Sequence, residues 1–124
     1  MHIRESIELA ASPSVAMDAA RAWMHEEMQP LDVTTDVQLG EIVEGITNDG
    51  AQSISTRIDQ DGIGIITVVS AVQFQAGSKL TMDLRTEGDS FGAKLRNLSL
   101  FPGRKVLLKQ VLNSLEQIRE RAGG

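Results

Sequence analysis

The sequence of residues 104 to 122, RKVLLKQVLNSLEQIRERA, decides the fold. Its apolar residues recur at intervals of three and four, which is the spacing of one face of an α-helix, and they continue for about five turns. Pro102 and Gly103 precede the segment and Gly123 and Gly124 follow it, where residues that do not continue a helix are expected. We therefore predict a long amphipathic C-terminal helix with an apolar face that another surface must cover. That face comprises Val106 or Leu107, Leu108, Val111, Leu112, Leu115, Ile118 and Ala122.

The covering surface is predicted from the preceding part of the chain, where strand patterns alternate with turns. In residues 79 to 87, Leu80, Met82 and Leu84 alternate with polar residues, so one face of this strand is apolar and the other faces water. Gly, Asn, Asp and Ser residues that tolerate tight turns separate this strand from three others. The result is a predicted antiparallel meander. Its strands lie at about 36 to 46, 51 to 58, 63 to 75 and 79 to 87, with turns at 48 to 50, 59 to 62 and 76 to 78.

The N-terminal part predicts one more strand and a first helix. Residues 2 to 9 alternate with period two, and Glu5 falls on the same face as Ile3 and Ile7. Ser12 followed by Pro13 is typical of an N-cap and a first helical position, and the helix is expected to end by Pro30. Together the elements predict an α+β fold in which a curved antiparallel β-sheet is wrapped around a long C-terminal α-helix.

Length and composition exclude several classes of protein. At 124 residues we predict a single domain over residues 1 to 124. The absence of cysteine excludes disulfides and thiolate chemistry and fits a reducing compartment. Residues 1 to 8 place charges between apolar residues, unlike a signal peptide, so we predict a cytoplasmic protein. The most apolar run, residues 63 to 71, is shorter than the ~20 residues that span a bilayer, so membrane insertion is not expected.

Charge is distributed unevenly along the chain. Residues 1 to 78 carry twelve acids and three bases, whereas residues 79 to 124 carry five acids and nine bases. The net charge of −5, with one Trp and no Tyr, argues against a nucleic-acid partner. Five bases lie in a stretch without an acid, which predicts either contact with a phosphate, carboxylate or acidic partner, or a solvated basic face. They are Lys94, Arg96, Arg104, Lys105 and Lys109.

The order of strand, helix, four-strand meander and long helix resembles the START/Bet v1-like superfamily (SRPBCC), including its polyketide cyclase/dehydrase-type members. Residues 7 to 17, IELAASPSVAM, look like the opening strand and helix start of that superfamily. Residues 88 to 95, GDSFGAKL, followed by residues 104 to 121, look like its glycine-containing loop and final helix. The resemblance implies a shortened member with a helix-grip fold. It further implies a cavity between sheet and helix that binds a lipid, polyketide, quinone or other apolar molecule, sometimes with catalysis by polar residues inside.

The leading functional hypothesis is therefore a binding module for a hydrophobic small molecule. We expect the ligand to enter beneath residues 88 to 102, a connector long enough to form a binding loop. Methionine adapts to irregular apolar shapes and Trp offers a flat wall, so these residue types are candidates for the cavity lining. The predicted ligand-binding residues are Met17, Trp23, Phe74, Met82, Leu84, Phe91, Leu108, Leu112 and Leu115, with Met24 as a further candidate.

Two other functions remain open. Glu5 lies on an apolar strand face, where burial would raise its pKa, and could serve a cyclase-like or dehydratase-like enzyme as a proton donor or acceptor. Alternatively, the core is solid and the surface is the functional part of an interaction domain or homodimer. No metal or cofactor is predicted, because His2 and His25 lack metal-ligand spacing and residues 62 to 64 lack a dinucleotide fingerprint. Arg57 and Arg85 are expected to be ordinary sheet-surface charges.

Overall fold

A computed structural model describes residues 2–27, 37–60, 63–87 and 104–124. The elements follow the predicted order of strand, helix, meander and long helix. They are β1 (His2–Leu9), α1 (Pro13–Glu27), β2 (Val37–Leu39), β3 (Val43–Ile46), β4 (Gln52–Gln60), β5 (Ile63–Phe74), β6 (Gly77–Glu87) and α2 (Arg104–Arg121). The predicted connector at 88 to 102 and the turn residues Asp61 and Gly62 lie outside the described residues.

The strands form one antiparallel sheet in the order β1-β6-β5-β4-β2, and β3 also pairs with β4. Side chains in register across the sheet share a face, and one inner row contains Glu5, Met82, Val69 and Ile54. The neighbouring outer row consists of small hydroxyl residues: Ser6, Thr81, Ser70 and Ser53. This period-two separation places the apolar side of the meander under the helices, as the alternation in β6 predicted.

The predicted strand at 36 to 46 is wrong in one respect, because the structure divides it into β2 and β3. Leu39 pairs with Ile58 and Val43 pairs with Ser55. Between these two pairs the edge segment has three residues, 40 to 42, whereas β4 has two, 56 and 57. This extra residue is a β-bulge, which bends the edge of a sheet. Gly40 allows the bend, since its N–H donates to the Arg57 carbonyl oxygen at 2.7 Å and an added Cβ would lie 2.8 Å from that oxygen.

The turn predicted at 76 to 78 is shifted in the structure. Phe74 pairs with Gly77, so Gln75 and Ala76 form the turn, and Gln75 takes the positive φ of 51°. Gly77 instead belongs to β6 and lies against the end of β1. A Cβ at Gly77 would lie 1.9 Å from the carbonyl oxygen of Leu9, so glycine is required here by the close approach of two backbones.

The start of α1 and the end of α2 are as the sequence predicted, whereas Pro30, the predicted limit of α1, lies outside the described residues. At the start of α1 the N–H of Val15 donates to the Ser12 hydroxyl at 3.3 Å, which confirms the N-cap. At the end of α2 the N–H of Gly124 donates to the Arg119 carbonyl at 2.9 Å, while Gly123 adopts a φ of +86°. This is a Schellman motif, which satisfies carbonyl groups that the end of the helix leaves unpaired.

The core lies between the inner sheet face and the two helices, which confirms the helix-grip α+β architecture. Helix α1 packs on β4, β5 and β6, whereas α2 packs on β1 and β6, and the helices contact each other. The buried residues of α2 are Leu107, Val111, Leu115 and Ile118. The predicted apolar face is thus correct at these four positions, but Leu112 is 39% exposed.

Candidate ligand cavity

A cavity of about 450 Å³ lies between the inner sheet face and α2, with the last turn of α1 at one end. Six of its lining residues are apolar and seven are polar or charged. The apolar ones are Trp23, Ile65, Met82, Leu84, Leu107 and Val111. The others are Glu27, Thr67, Thr86, Gln110, Asn113, Ser114 and Gln117.

The sheet wall of the cavity comes from alternate residues of β5 and β6. Ile65 pairs with Thr86 and Thr67 pairs with Leu84, so these four side chains lie in two adjacent rows. Met82 occupies the next row and is buried. Because the period-two pleat directs these side chains to the covered face, the strands alone define this wall.

The helix wall follows the three- and four-residue spacing of α2. Leu107 and Val111 supply its apolar part, and Gln110, Ser114 and Gln117 supply its polar part. The Ser114 hydroxyl donates to the Gln110 carbonyl oxygen at 2.9 Å, so it bonds within its own helix. This wall therefore offers apolar surface toward the start of the helix and amide groups farther along it.

Trp23 forms the wall of the cavity where the two helices contact each other. Its exposed fraction is 4%, and its indole Nε1–H donates to Gln117 Oε1 at 3.0 Å. This bond satisfies the polar atom of a buried ring and holds the ring against the cavity. Trp23 is also the sole tryptophan, so its fluorescence reports on this site.

The end of the cavity beside Trp23 is polar and charged. Glu27 and Gln117 line both the cavity and a second, smaller pocket that also contacts Glu120 and Arg121. The Arg121 guanidinium donates to the carboxylate of Glu26, which lowers the pKa of Glu26 and raises that of Arg121. The Nη2 atom of Arg121 also lies 4.0 Å from Glu27 Oε1. One cation and several carboxylates thus lie beside this end of the cavity.

The structure places the predicted lining residues in different environments. Trp23, Met82 and Leu84 line the cavity, whereas Met17, Met24 and Leu115 are buried in the core outside its wall. Leu108 is partly buried against the core, Leu112 is exposed, and Phe74 is half-buried at the β5–β6 turn. Phe91 lies outside the described residues.

The sequence prediction missed Leu107, Val111 and the polar lining. On α2 the sequence left open whether Val106 or Leu107 belongs to the covered face. Leu107, Val111 and Ser114 form one stripe along the helix, and this stripe is displaced by about one residue from that of Leu108, Leu112 and Leu115. In β5, the polar residue Thr67 within an apolar run was the signal for a lining position.

Three of the charged residues predicted to have a functional role have described side chains: Glu5, Lys105 and Lys109. Glu5 lies on the inner face opposite Met82 and is half-buried, but it is not among the residues that line the cavity. Lys105 and Lys109 are exposed on α2. Lys94 and Arg96, together with the side chain of Arg104, lie outside the described part of the chain.

Other polar residues lie on the outer sheet surface. Arg57 pairs with Glu87 and Asp59, which raise its pKa, and His2 Nε2 lies 2.8 Å from Asp83. Within the described ranges, no group of three or more His, Cys, Asp or Glu residues could hold a metal ion. Neither described helix is long and apolar enough to cross a membrane.

The fold defined by this sheet, helix and cavity is the START/Bet v1-like helix-grip fold. Protein TTHA0849 from Thermus thermophilus matches with a TM-score of 0.55 and 12% identity over 98% of this chain and 97% of that chain. Ara h 8.0201 matches with a TM-score of 0.52 and 11% identity over 98% and 97%. Norcoclaurine synthase from Thalictrum flavum matches with a TM-score of 0.51 and 10% identity over 97% and 84%.

These likenesses establish the fold alone, since function varies widely among proteins that share a fold. No family model matches the sequence, and no curated protein matches it at a significant level.

Proposed function

We propose that this protein binds a hydrophobic small molecule in the cavity between the sheet and α2. The observation that carries the proposal is the cavity itself, about 450 Å³ in volume, bounded by Trp23, Met82 and Val111. Pockets of roughly 300 to 1,000 Å³ that combine apolar walls with polar groups are typical ligand sites. Binding would remove apolar surface of both ligand and wall from water, which is favourable.

The lining also constrains the shape and orientation of the ligand. Ile65, Leu84 and Leu107 suit an apolar body, while the carboxylate of Glu27 and the amide of Gln117 suit a polar end. A ligand that fits both parts is an amphiphilic molecule with an apolar ring system or chain. Lipids, polyketides and quinone-like compounds belong to this class.

Filling the cavity from the helix wall tests the proposal. In Ser114→Phe, the added ring occupies the space between α2 and the sheet, so we expect the affinity for the uncharged dye N-phenyl-1-naphthylamine to fall by about tenfold or more. The dye is titrated into the protein and followed by its own fluorescence and by that of Trp23.

Leu112→Phe is the matched control, because Leu112 is on the same helix but does not line the cavity. This variant should bind the dye with the affinity of the unmodified protein. Thermal unfolding by circular dichroism shows that both variants are folded. Saturable one-to-one binding that is unaffected by Ser114→Phe, or the lack of any binding by the unmodified protein, would overturn the proposal.

A further inference from the structure

Thr67 is a buried polar side chain in the sheet wall of the cavity. It lies on β5 between Leu84 of β6 and Thr56 of β4, and only 3% of its surface is exposed. Its neighbours in the wall include the apolar side chains of Ile65 and Met82. The side chain therefore lies beside an open volume, between apolar residues and the threonines Thr56 and Thr86.

Among the described residues, the Thr67 hydroxyl has no hydrogen-bond partner, and its oxygen is not fully enclosed by protein. Other buried threonines of the sheet are paired: Thr81 Oγ1 lies 2.8 Å from Ser6 Oγ, and Thr56 Oγ1 donates to the Gly40 carbonyl oxygen at 3.5 Å. The Ser78 hydroxyl is also unpaired within the described chain, but it is fully enclosed and lines no pocket. Thr67 thus combines two features that Thr56, Ser78 and Thr81 do not combine: it has no partner among the described residues, and it lines the cavity.

Because the Thr67 hydroxyl bonds to no described residue, only water or a bound molecule in the cavity can complete its hydrogen bonds. A ligand that displaces the water without offering a polar atom leaves the hydroxyl unpaired, which is unfavourable. Valine has nearly the shape of threonine and would fill the same space without that cost. A hydroxyl at this position therefore has a physical use if a group inside the cavity completes its hydrogen bonds.

We infer that Thr67 is a specificity-determining residue whose hydroxyl hydrogen-bonds an uncharged oxygen, a carbonyl or hydroxyl group, on the ligand. The inference rests on the proposed binding function. It narrows the class of ligand to molecules that carry an uncharged oxygen where they meet Thr67. A wall that hydrogen-bonds a ligand group rejects an analogue lacking that group, because a buried polar atom is then left unpaired.

The cavity wall also explains why the recognised oxygen is uncharged. Among the described lining residues, Glu27 alone is ionisable, and it lies at the end of the cavity that borders the second pocket. An ionised group next to Thr67 would lose its hydration without gaining a counter-charge, which is strongly unfavourable. A ketone or an alcohol carries no such penalty.

The test compares 9-fluorenone with fluorene, two rigid tricyclic molecules that differ by one carbonyl group in place of a methylene. Dissociation constants for both are measured by equilibrium dialysis with trace ligand and increasing protein. In Thr67→Val, we expect fluorenone affinity to fall about fivefold relative to fluorene affinity, which corresponds to one ordinary hydrogen bond. The variant should be about as resistant to urea as the unmodified protein, since the Thr67 hydroxyl makes no hydrogen bond to a described residue.

Thr81→Val is the matched control, because Thr81 is buried on the outer face and bonds to Ser6. This variant should lose stability while keeping the ratio of the two dissociation constants. An unchanged ratio in Thr67→Val, with both probes still bound, would overturn the assignment of Thr67 and leave the binding function intact. Binding of neither probe by the unmodified protein would overturn both proposals.

Discussion

Replacing Leu115 with alanine is expected to lower the free energy of unfolding by about 3 to 4 kcal/mol. The Leu115 side chain is fully buried in the core between α2 and the sheet. Its removal loses apolar burial and leaves a void that the surrounding backbone cannot fill completely. Equilibrium unfolding in urea, followed by circular dichroism, measures the change.

Leu112→Ala is the matched control for this prediction. Leu112 is three residues earlier on α2 and is 39% exposed, so the same truncation should cost about 1 kcal/mol or less. The large difference between the two variants follows from which face of the helix meets the sheet. Equal losses at Leu112 and Leu115 would contradict that orientation of α2.

Replacing Gly77 with alanine is expected to lower the free energy of unfolding by about 3 kcal/mol. The new Cβ would lie 1.9 Å from the Leu9 carbonyl oxygen, so the backbones at the end of β1 and the start of β6 would have to separate. The steric clash involves backbone atoms, which cannot move away as the end of a flexible side chain can. Unfolding in urea measures this loss as well.

Gly45→Ala provides the comparison on an edge strand of the same sheet. The Cβ added there would have the Ser53 hydroxyl oxygen as its nearest neighbour, at 3.6 Å, which is an ordinary contact. The free energy of unfolding should change by no more than about 0.5 kcal/mol. If Gly77→Ala were tolerated equally well, the close approach of Leu9 and Gly77 would be wrong.

The parts of the fold that could be predicted from sequence are those with local causes. The alternation of residues 2 to 9, the cap at Ser12 and the final glycines each act through neighbours along the chain. The spacing of apolar residues in α2 likewise predicted its length and its need for a covering sheet. These signals predict element type and order well, because few distant contacts are needed to interpret them.

The errors arose where distant backbone contacts decide the structure. The bulge at residues 40 to 42 depends on how β2 and β3 pair with β4, and the position of the β5–β6 turn depends on Gly77 meeting Leu9. Neither pairing is visible in the local sequence. Turn-forming residues near 76 to 78 predicted a hairpin, but they did not determine which residue would begin the next strand.

The candidate site was predicted only as far as its location between sheet and helix. Trp23, Met82 and Leu84, which were predicted as ligand-binding residues, lie in the cavity wall because each is a large apolar residue on a covered face. Leu107 and Thr67 were missed for different reasons. A rotation of α2 by about one residue decides between Leu107 and Leu108, and a search for apolar residues passes over a threonine.

Methyl NMR would test the central claim, ligand binding inside this cavity, most directly. Protein labelled at Ile, Leu and Val methyl groups is titrated with 9-fluorenone. We predict saturable shift changes concentrated at Ile65, Leu84, Leu107 and Val111, with little change at the core residue Ile54. Shift changes confined to exposed residues such as Val43, Ile46 and Val72, or no saturable change at all, would contradict the account.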